Sequence, residues 1–360
     1  MYRISNSILI LILIALLFSC VEEIPFSTAK GARTVVLSGG LNNLDEDLVV
    51  FLSRTQEEGK PALPESGARI KLVESSGETW FFTENKEGHY TIPAGEVVPE
   101  TGAAYHVECT LADGGLYRSI PEILLPVVQP DSVSWEIGKE TSRIDDGYLF
   151  SIDALKLFIS SGFAKDQPNT YLRWNVQSAF QFTTLPECSP FRTTFTCYFS
   201  DLLNPGRFFL YNNEGNPRVV LRNFPIGYES LEPNYRYSET HYFSIYQHRI
   251  SQNAFEYYSR LNQVAVQNGS IFDPIPASVK GNVYRVDNEN ERVLGYFQVS
   301  SAAVIRLRVV QADLDGKYKL LDKRNNLCGL FVGVFGSEYF EGCCNCYSIK
   351  YPLINKPDWW

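Results

Sequence analysis

From Thr34 onward, apolar and polar residues alternate in short runs broken by turn residues. Val35-Val36-Leu37 leads into Gly39-Gly40, residues 48–52 start a second run, and Pro61 and Pro64 punctuate a loop. Residues 68–73 alternate, Ser75-Ser76-Gly77 turns the chain, residues 78–83 return, and a further turn at 85–88 precedes 89–92. Residues 105–111 and 116–120 flank a Gly-rich turn as a hairpin. A period of two places alternate side chains on opposite faces of a strand. Short strands at this spacing predict a β-sandwich over residues 34–127, of the immunoglobulin-like or carboxypeptidase-regulatory-like type. Pro121, Pro126 and Pro130 mark its end.

Residues 128–360 are also strand-rich. Runs at 171–177, 242–249, 293–299 and 303–310 read as strands, and 185–197 as a loop holding two cysteines and two prolines. One segment has helical spacing instead, at about 251–268. Ser251 is placed to cap it, Ala254, Tyr257 or Tyr258, Leu261 and Val264 or Ala265 form one stripe, and Asn268-Gly269 ends it. The aromatics of that stripe are read as core-facing. The fold class is therefore mainly β, a sandwich followed by a β-rich domain with one long helix.

The N-terminus follows a different pattern. Polar residues with Arg3 precede an unbroken apolar run at 8–18, which is too short to span a bilayer and has the layout of a signal peptide, residues 1–19. Leu17-Phe18-Ser19-Cys20 reads as a lipobox, with the small Ser19 before a cysteine whose thiol takes the lipid. Cys20 is thus the expected lipidation site and residues 20–33 the tether, with an ordinary secretory cleavage as the alternative. Acyl chains anchor by burying methylenes, each contributing about 0.8 kcal/mol. The acidic Glu22-Glu23 pair is similar to a surface-export signal.

The chain has eight cysteines. Cys109 shares a strand face with Tyr105, Val107 and Leu111, which predicts a buried free thiol. Cys188, Cys197, Cys328, Cys343, Cys344 and Cys346 are candidates for disulfides, the default outside the cell. Their connectivity is open, since six cysteines allow 15 pairings. The competing reading is a zinc site around the CxxC of Cys343 and Cys346, but no second CxxC or His pair accompanies it.

Composition narrows function by exclusion. A net charge of -9 without a cationic cluster argues against nucleic acid as a partner. The four histidines, His89, His106, His241 and His248, form no HExxH pair, and no GxSxG elbow or phosphate loop is present. Asp45-Glu46-Asp47, Asp145-Asp146 and Asp313 with Asp315 sit beside turn residues and are read as solvated. No catalytic, cofactor-binding or metal residue is assigned. The terminal Trp359-Trp360 pair either stacks on a ligand or tucks into an apolar groove, and the groove is preferred because an exposed pair invites aggregation.

Several segments together carry a resemblance: residues 269–276, then Lys280-Gly281-Asn282-Val283, then Val293-Leu294-Gly295-Tyr296-Phe297, and the ending Lys356-Pro357-Asp358-Trp359-Trp360 after the CxxC. They resemble the Bacteroidota lipoprotein family called domain of unknown function 4249, departing from it at 347–355, where the family has a Gly-rich link. The resemblance implies an outer-membrane lipoprotein facing the cell exterior, encoded beside a TonB-dependent receptor. The expected function is a non-enzymatic accessory subunit of TonB-dependent nutrient uptake, with that receptor as partner and no cofactor. The alternatives are a free-standing carbohydrate- or peptide-binding adhesion lipoprotein, and an unrecognised hydrolase. The anchor gives a direct test: Cys20→Ala is expected to move the protein from the membrane fraction to the soluble fraction, and retention on membranes would refute the lipid anchor.

Overall fold

The computed structural model describes residues 33–56, 60–143, 149–163, 169–184, 193–214, 220–232, 234–266, 279–288, 290–318, 331–333, 336–338, 346–349 and 351–360. They form a mainly β protein with a sandwich-like layout and one longer helix.

The first sandwich uses β1 (Val35–Leu41), β2 (Leu48–Arg54), β3 (Leu63–Pro64), β4 (Arg69–Glu74), β5 (Thr79–Phe81), β6 (Thr83–Lys86), β7 (His89–Ile92), β8 (Ala104–Thr110), β9 (Leu116–Ser119) and β10 (Glu122–Ile123). One sheet runs β1-β2-β7-β6 with β3 on β2, and the other runs β9-β8-β4-β5 with β10 on β8. Alternation decides the faces. Leu37, Val50, Leu72, Val107 and Cys109 point inward and are buried, while Lys71 and Arg118 on the outer face pair with Glu108 at 2.8 and 2.6 Å. Gly39 and Gly40, expected as a turn, lie inside β1.

The second sandwich starts with β11 (Pro130–Arg143) and β12 (Leu149–Gly162), which pair with each other along their length. The three-stranded sheet β11-β12-β16 includes β16 (Val220–Ser230). Facing it are β13 (Tyr171–Thr183), β14 (Thr196–Leu202), β15 (Phe209–Asn212) and β17 (His241–Ile250). Leu155, Leu157 and Ile159 from one sheet meet Leu172, Trp174, Phe243 and Ile245 from the other. Pro130, expected as part of a boundary, opens β11, where it has no inner ladder bond to lose.

The helix α1 (Gln252–Val266) follows β17 directly. Ser251 caps it as expected, its Oγ accepting from the Ala254 N–H at 3.1 Å. Ala254 is fully buried, and Phe255, Tyr257 and Tyr258 pack with Tyr171 and Tyr296.

The chain then returns to the first sandwich. β18 (Val283–Arg285) pairs with β9 antiparallel, and β19 (Phe297–Val299) pairs with β1 in parallel, so each sheet of the first sandwich gains an edge strand from the second half. The strands of that sandwich are therefore not confined to residues 34–127. From β19 the chain passes through Ser300 alone into β20 (Ser301–Val309), which pairs with β17 in the second sandwich. The short α2 (Gln311–Leu314), the pair β21 (Phe331–Gly333) and β22 (Gly336–Glu338), and β23 (Leu353–Ile354) on β14 complete the described elements.

Two glycines make this return possible. A Cβ on Gly281 would sit 1.5 Å from the Gly295 carbonyl oxygen, and one on Gly295 would sit 2.0 Å from that of Leu37. Gly295 also has φ +93°, which side chains rarely adopt. Between them, Asn282 exchanges a hydrogen-bond pair with the Phe297 backbone, both at 2.9 Å. Its own carbonyl accepts from the Ile120 N–H at 2.8 Å. Gly295→Ala is expected to destabilise the fold by about 2 kcal/mol or more, seen as a lower urea midpoint. An unchanged midpoint would show that the return segment contributes little to stability.

Candidate functional site

The residues expected to carry chemistry divide into three groups. Cys20, Cys188, Cys328, Cys343 and Cys344 lie outside the described residues, as do Asp145 and Asp146. Cys197 and Cys346 are joined in a disulfide with Cα atoms 6.2 Å apart, tying β14 to the segment before β23. Cys109 is free and fully buried, and burial pushes its thiol up to about 12, which keeps it protonated and inert. Among the described residues no three His, Cys, Asp or Glu side chains converge as a metal site.

The histidines occupy unlike settings. His89 is half-buried and edge-on to Phe51, and His106 faces outward 3.5 Å from Glu108. His241 and His248 both lie within β17 and are buried. His241 belongs to a buried cluster that alternation along single strands could not reveal. Glu229 accepts from Ser178 Oγ at 2.8 Å, Arg236 at 2.7 Å and Tyr237 Oη at 2.5 Å, and His241 Nε2 lies 3.2 Å from the same carboxylate. Burial alone would raise Glu229, but Arg236, His241 and the two hydroxyls together hold it below its ordinary value. Burial likewise pulls His241 down to about 4 against the attraction of Glu229.

Serine, histidine and carboxylate are together here, yet not as a relay. Ser178 Oγ and the carboxylate both approach Nε2, at 2.9 and 3.2 Å, while Nδ1 faces the Arg236 carbonyl oxygen at 3.3 Å. A nucleophilic triad needs the acid on the ring nitrogen opposite the serine. Ser178 is moreover 1% exposed, so no substrate reaches it. The cluster satisfies buried polar groups between the two sheets of the second sandwich.

The candidate site is a cleft of about 700 Å³ between the sandwiches. Its walls are the outward positions of two sheets: Ser38 of β1 and Phe51 of β2 on one side, Arg173 and Asn175 of β13 and Tyr246 of β17 on the other. Its floor is where the returning chain crosses, at Gln298 and Ser300, beside His248. Tyr258 of α1 reaches the same cleft and carries the Arg173 guanidinium on its ring, 4.5 Å from the centroid. Of the helix stripe, Ala254 is buried and Tyr257 and Tyr258 are partly buried against Tyr171 and Tyr296, and Tyr258 also lines the cleft. Glu46 and Asp47 are exposed, as expected of solvated turn residues, and line it too. Burial first, then Arg173, pulls His248 down to about 3 and keeps the ring neutral.

The terminal tryptophans lie at the other end of the same outer face. Trp359 and Trp360 pack edge-on to Tyr242, Trp360 also meets Tyr198, and Arg306 sits 4.4 Å over the Trp359 ring. Both are half-buried in this way rather than free on the surface.

A family profile described as Domain of unknown function (DUF4249) matches residues 21–306, most of the chain and the whole of the return segment. The chain belongs to this family. No curated protein matches it. Among solved structures, trypsin-activated alpha-2-macroglobulin from Escherichia coli is similar over 62% of this chain at 12% identity and a TM-score of 0.21, too low to argue from. The chain spans only 15% of that protein.

The two neutral histidines give the fold a pH dependence. Both fall from 6.5, to about 4 and about 3, so between those values the unfolded chain binds more protons than the folded one. Their stabilising contribution is complete above 6.5 and is lost as pH falls toward 4. Glu122, raised by burial despite donors from Ser251, Tyr296 and Val299, acts in the opposite sense. The urea midpoint is expected to drop between about pH 7.5 and about pH 5.5, and to drop less in His248→Gln. An equal drop in His248→Gln and in the unaltered chain would show that this ring is not buried neutral.

Proposed function

We propose that this DUF4249 protein is a lipid-anchored, non-enzymatic accessory subunit of a TonB-dependent nutrient uptake system at the outer face of a Bacteroidota outer membrane, gathering its ligand in the cleft between the two sandwiches. The observation that carries the reading is the cleft itself. It is concave, it joins aromatic rings with a few converging polar groups, and its volume of about 700 Å³ suits a small-molecule site. The anchor supports the reading from the other end of the chain. Residues 21–33 separate Cys20 from the first described strand and supply a short tether, so ligand capture occurs near the membrane surface.

Tethering also favours the partner. Two proteins confined to one membrane meet at an effective concentration far above that in solution, so a modest interface is well occupied. The second sandwich offers aromatic side chains exposed for contact, among them Phe150, Phe195 and Tyr347. Crosslinking in intact cells that express both genes tests this reading. Capture of a TonB-dependent receptor is the expected result, and its absence would overturn the uptake role.

A further inference from the structure

The cleft floor holds charge and hydrogen-bonding capacity that the protein does not use. Arg173 stacks on Tyr258, its Nε is buried with no acceptor, and no carboxylate pairs with it among the described residues. Gln298 is 5% exposed, and its Oε1 has no donor. The orientation of that amide follows from its neighbours. Gln298 Nε2 donates to Ser300 Oγ at 2.8 Å, and that oxygen also lies 3.2 Å from Nδ1 of His248. That leaves Oε1 as the free acceptor.

The buried, unpaired Gln298 Oε1 costs free energy, and the half-buried Arg173 guanidinium over the Tyr258 ring has no anion beside it among the described residues. An occupant carrying an anion and a donor would complement both. A simple anion does not fit the whole cleft. Glu46 and Asp47 also line it, and of these Asp47 Oδ1 already accepts from the Ala94 N–H at 2.9 Å. One cation against two carboxylates calls for a ligand bearing both signs.

We propose, building on the reading of the cleft as the capture site, that it binds a small zwitterion, an amino acid or short peptide. Its carboxylate meets the Arg173 guanidinium, and its ammonium or amide N–H groups reach Gln298 Oε1 and the acidic side chains. A guanidinium offers two parallel N–H donors to a carboxylate, which makes this the directional end of the ligand. The aromatic walls leave room for small apolar side chains.

Calorimetric titration of the full lipidated chain in detergent decides the matter, using alanine, tri-alanine, tri-alanine amidated at its C-terminus, N-acetylated tri-alanine, and galacturonate as a hydroxylated anion without an ammonium. The expected result is binding of alanine or tri-alanine, with preference for one of them reporting whether free amino acid or peptide is the natural ligand. Amidation, N-acetylation and Arg173→Gln should each weaken binding by roughly tenfold or more. The chemically altered peptides keep the test independent of whether Arg173→Gln folds. Failure of both alanine and tri-alanine to bind, equal binding of the amidated peptide, or tighter binding of galacturonate would overturn the proposal. A failed titration beside a captured receptor rejects the ligand class alone, whereas a missing receptor crosslink rejects the uptake role.

Discussion

The structure depends on one excursion of the chain, the return of residues 283–299 to a sandwich begun more than 150 residues earlier. The segment contributes an edge strand to each sheet of the first sandwich, and its Val283, Val293, Phe297 and Val299 are part of that core. Without it, two edges of the first sandwich would carry open ladders, which proteins generally avoid. The same segment leaves through a single residue, Ser300, into β20 of the second sandwich. A one-residue connection allows the two bodies little freedom, so the angle between them is set by strand pairing rather than by a linker. The buried Glu122 carboxylate reinforces the junction, accepting from Ser251 at the start of α1, from Tyr296 and from the Val299 N–H.

This constraint also explains the residues of two of the family-like segments. Lys280-Gly281-Asn282-Val283 and Val293-Leu294-Gly295-Tyr296-Phe297 are where backbone passes against backbone. Gly281 and Gly295 have no space for a side chain, and Asn282 closes the gap by imitating a strand partner. A motif that could be mistaken for a binding loop is here the joint of two domains. The cleft follows from the joint, because the outward faces of β1 and β13 are brought together beside the crossing strand.

The two cores solve the problem of polar burial differently. In the first sandwich the inner face is almost wholly apolar, with Tyr90 and Tyr105 sending their hydroxyls to backbone or carboxylate at the margin. The second admits polar groups and pairs them with one another. Gln247 accepts from Ser161 and Trp174 while donating to the Val128 carbonyl, and Glu229 gathers Ser178, Arg236, Tyr237 and His241. Such networks favour one register, since shifting a strand by one residue would turn its members to the other face and leave their partners buried and unpaired.

The sequence by itself determined the local pattern: the alternation that makes strands, the Ser251 cap, the burial of Cys109, and the apolar run ending at Cys20. These are legible because each depends on neighbours a few residues away. Alternation also put Arg173 and Asn175 on the opposite face from Leu172 and Trp174, but it could not say that this face meets the first sandwich. The long β11 and β12 are not among the strands read from the sequence, although Val133, Trp135 and Ile137 alternate in one and Leu155, Leu157 and Ile159 in the other. The return of 283–299, the Cys197–Cys346 bond, the Glu229 cluster and the cleft were decided only by tertiary structure. Each joins residues far apart along the chain, and a one-dimensional pattern fixes which face a residue occupies but not what that face will touch.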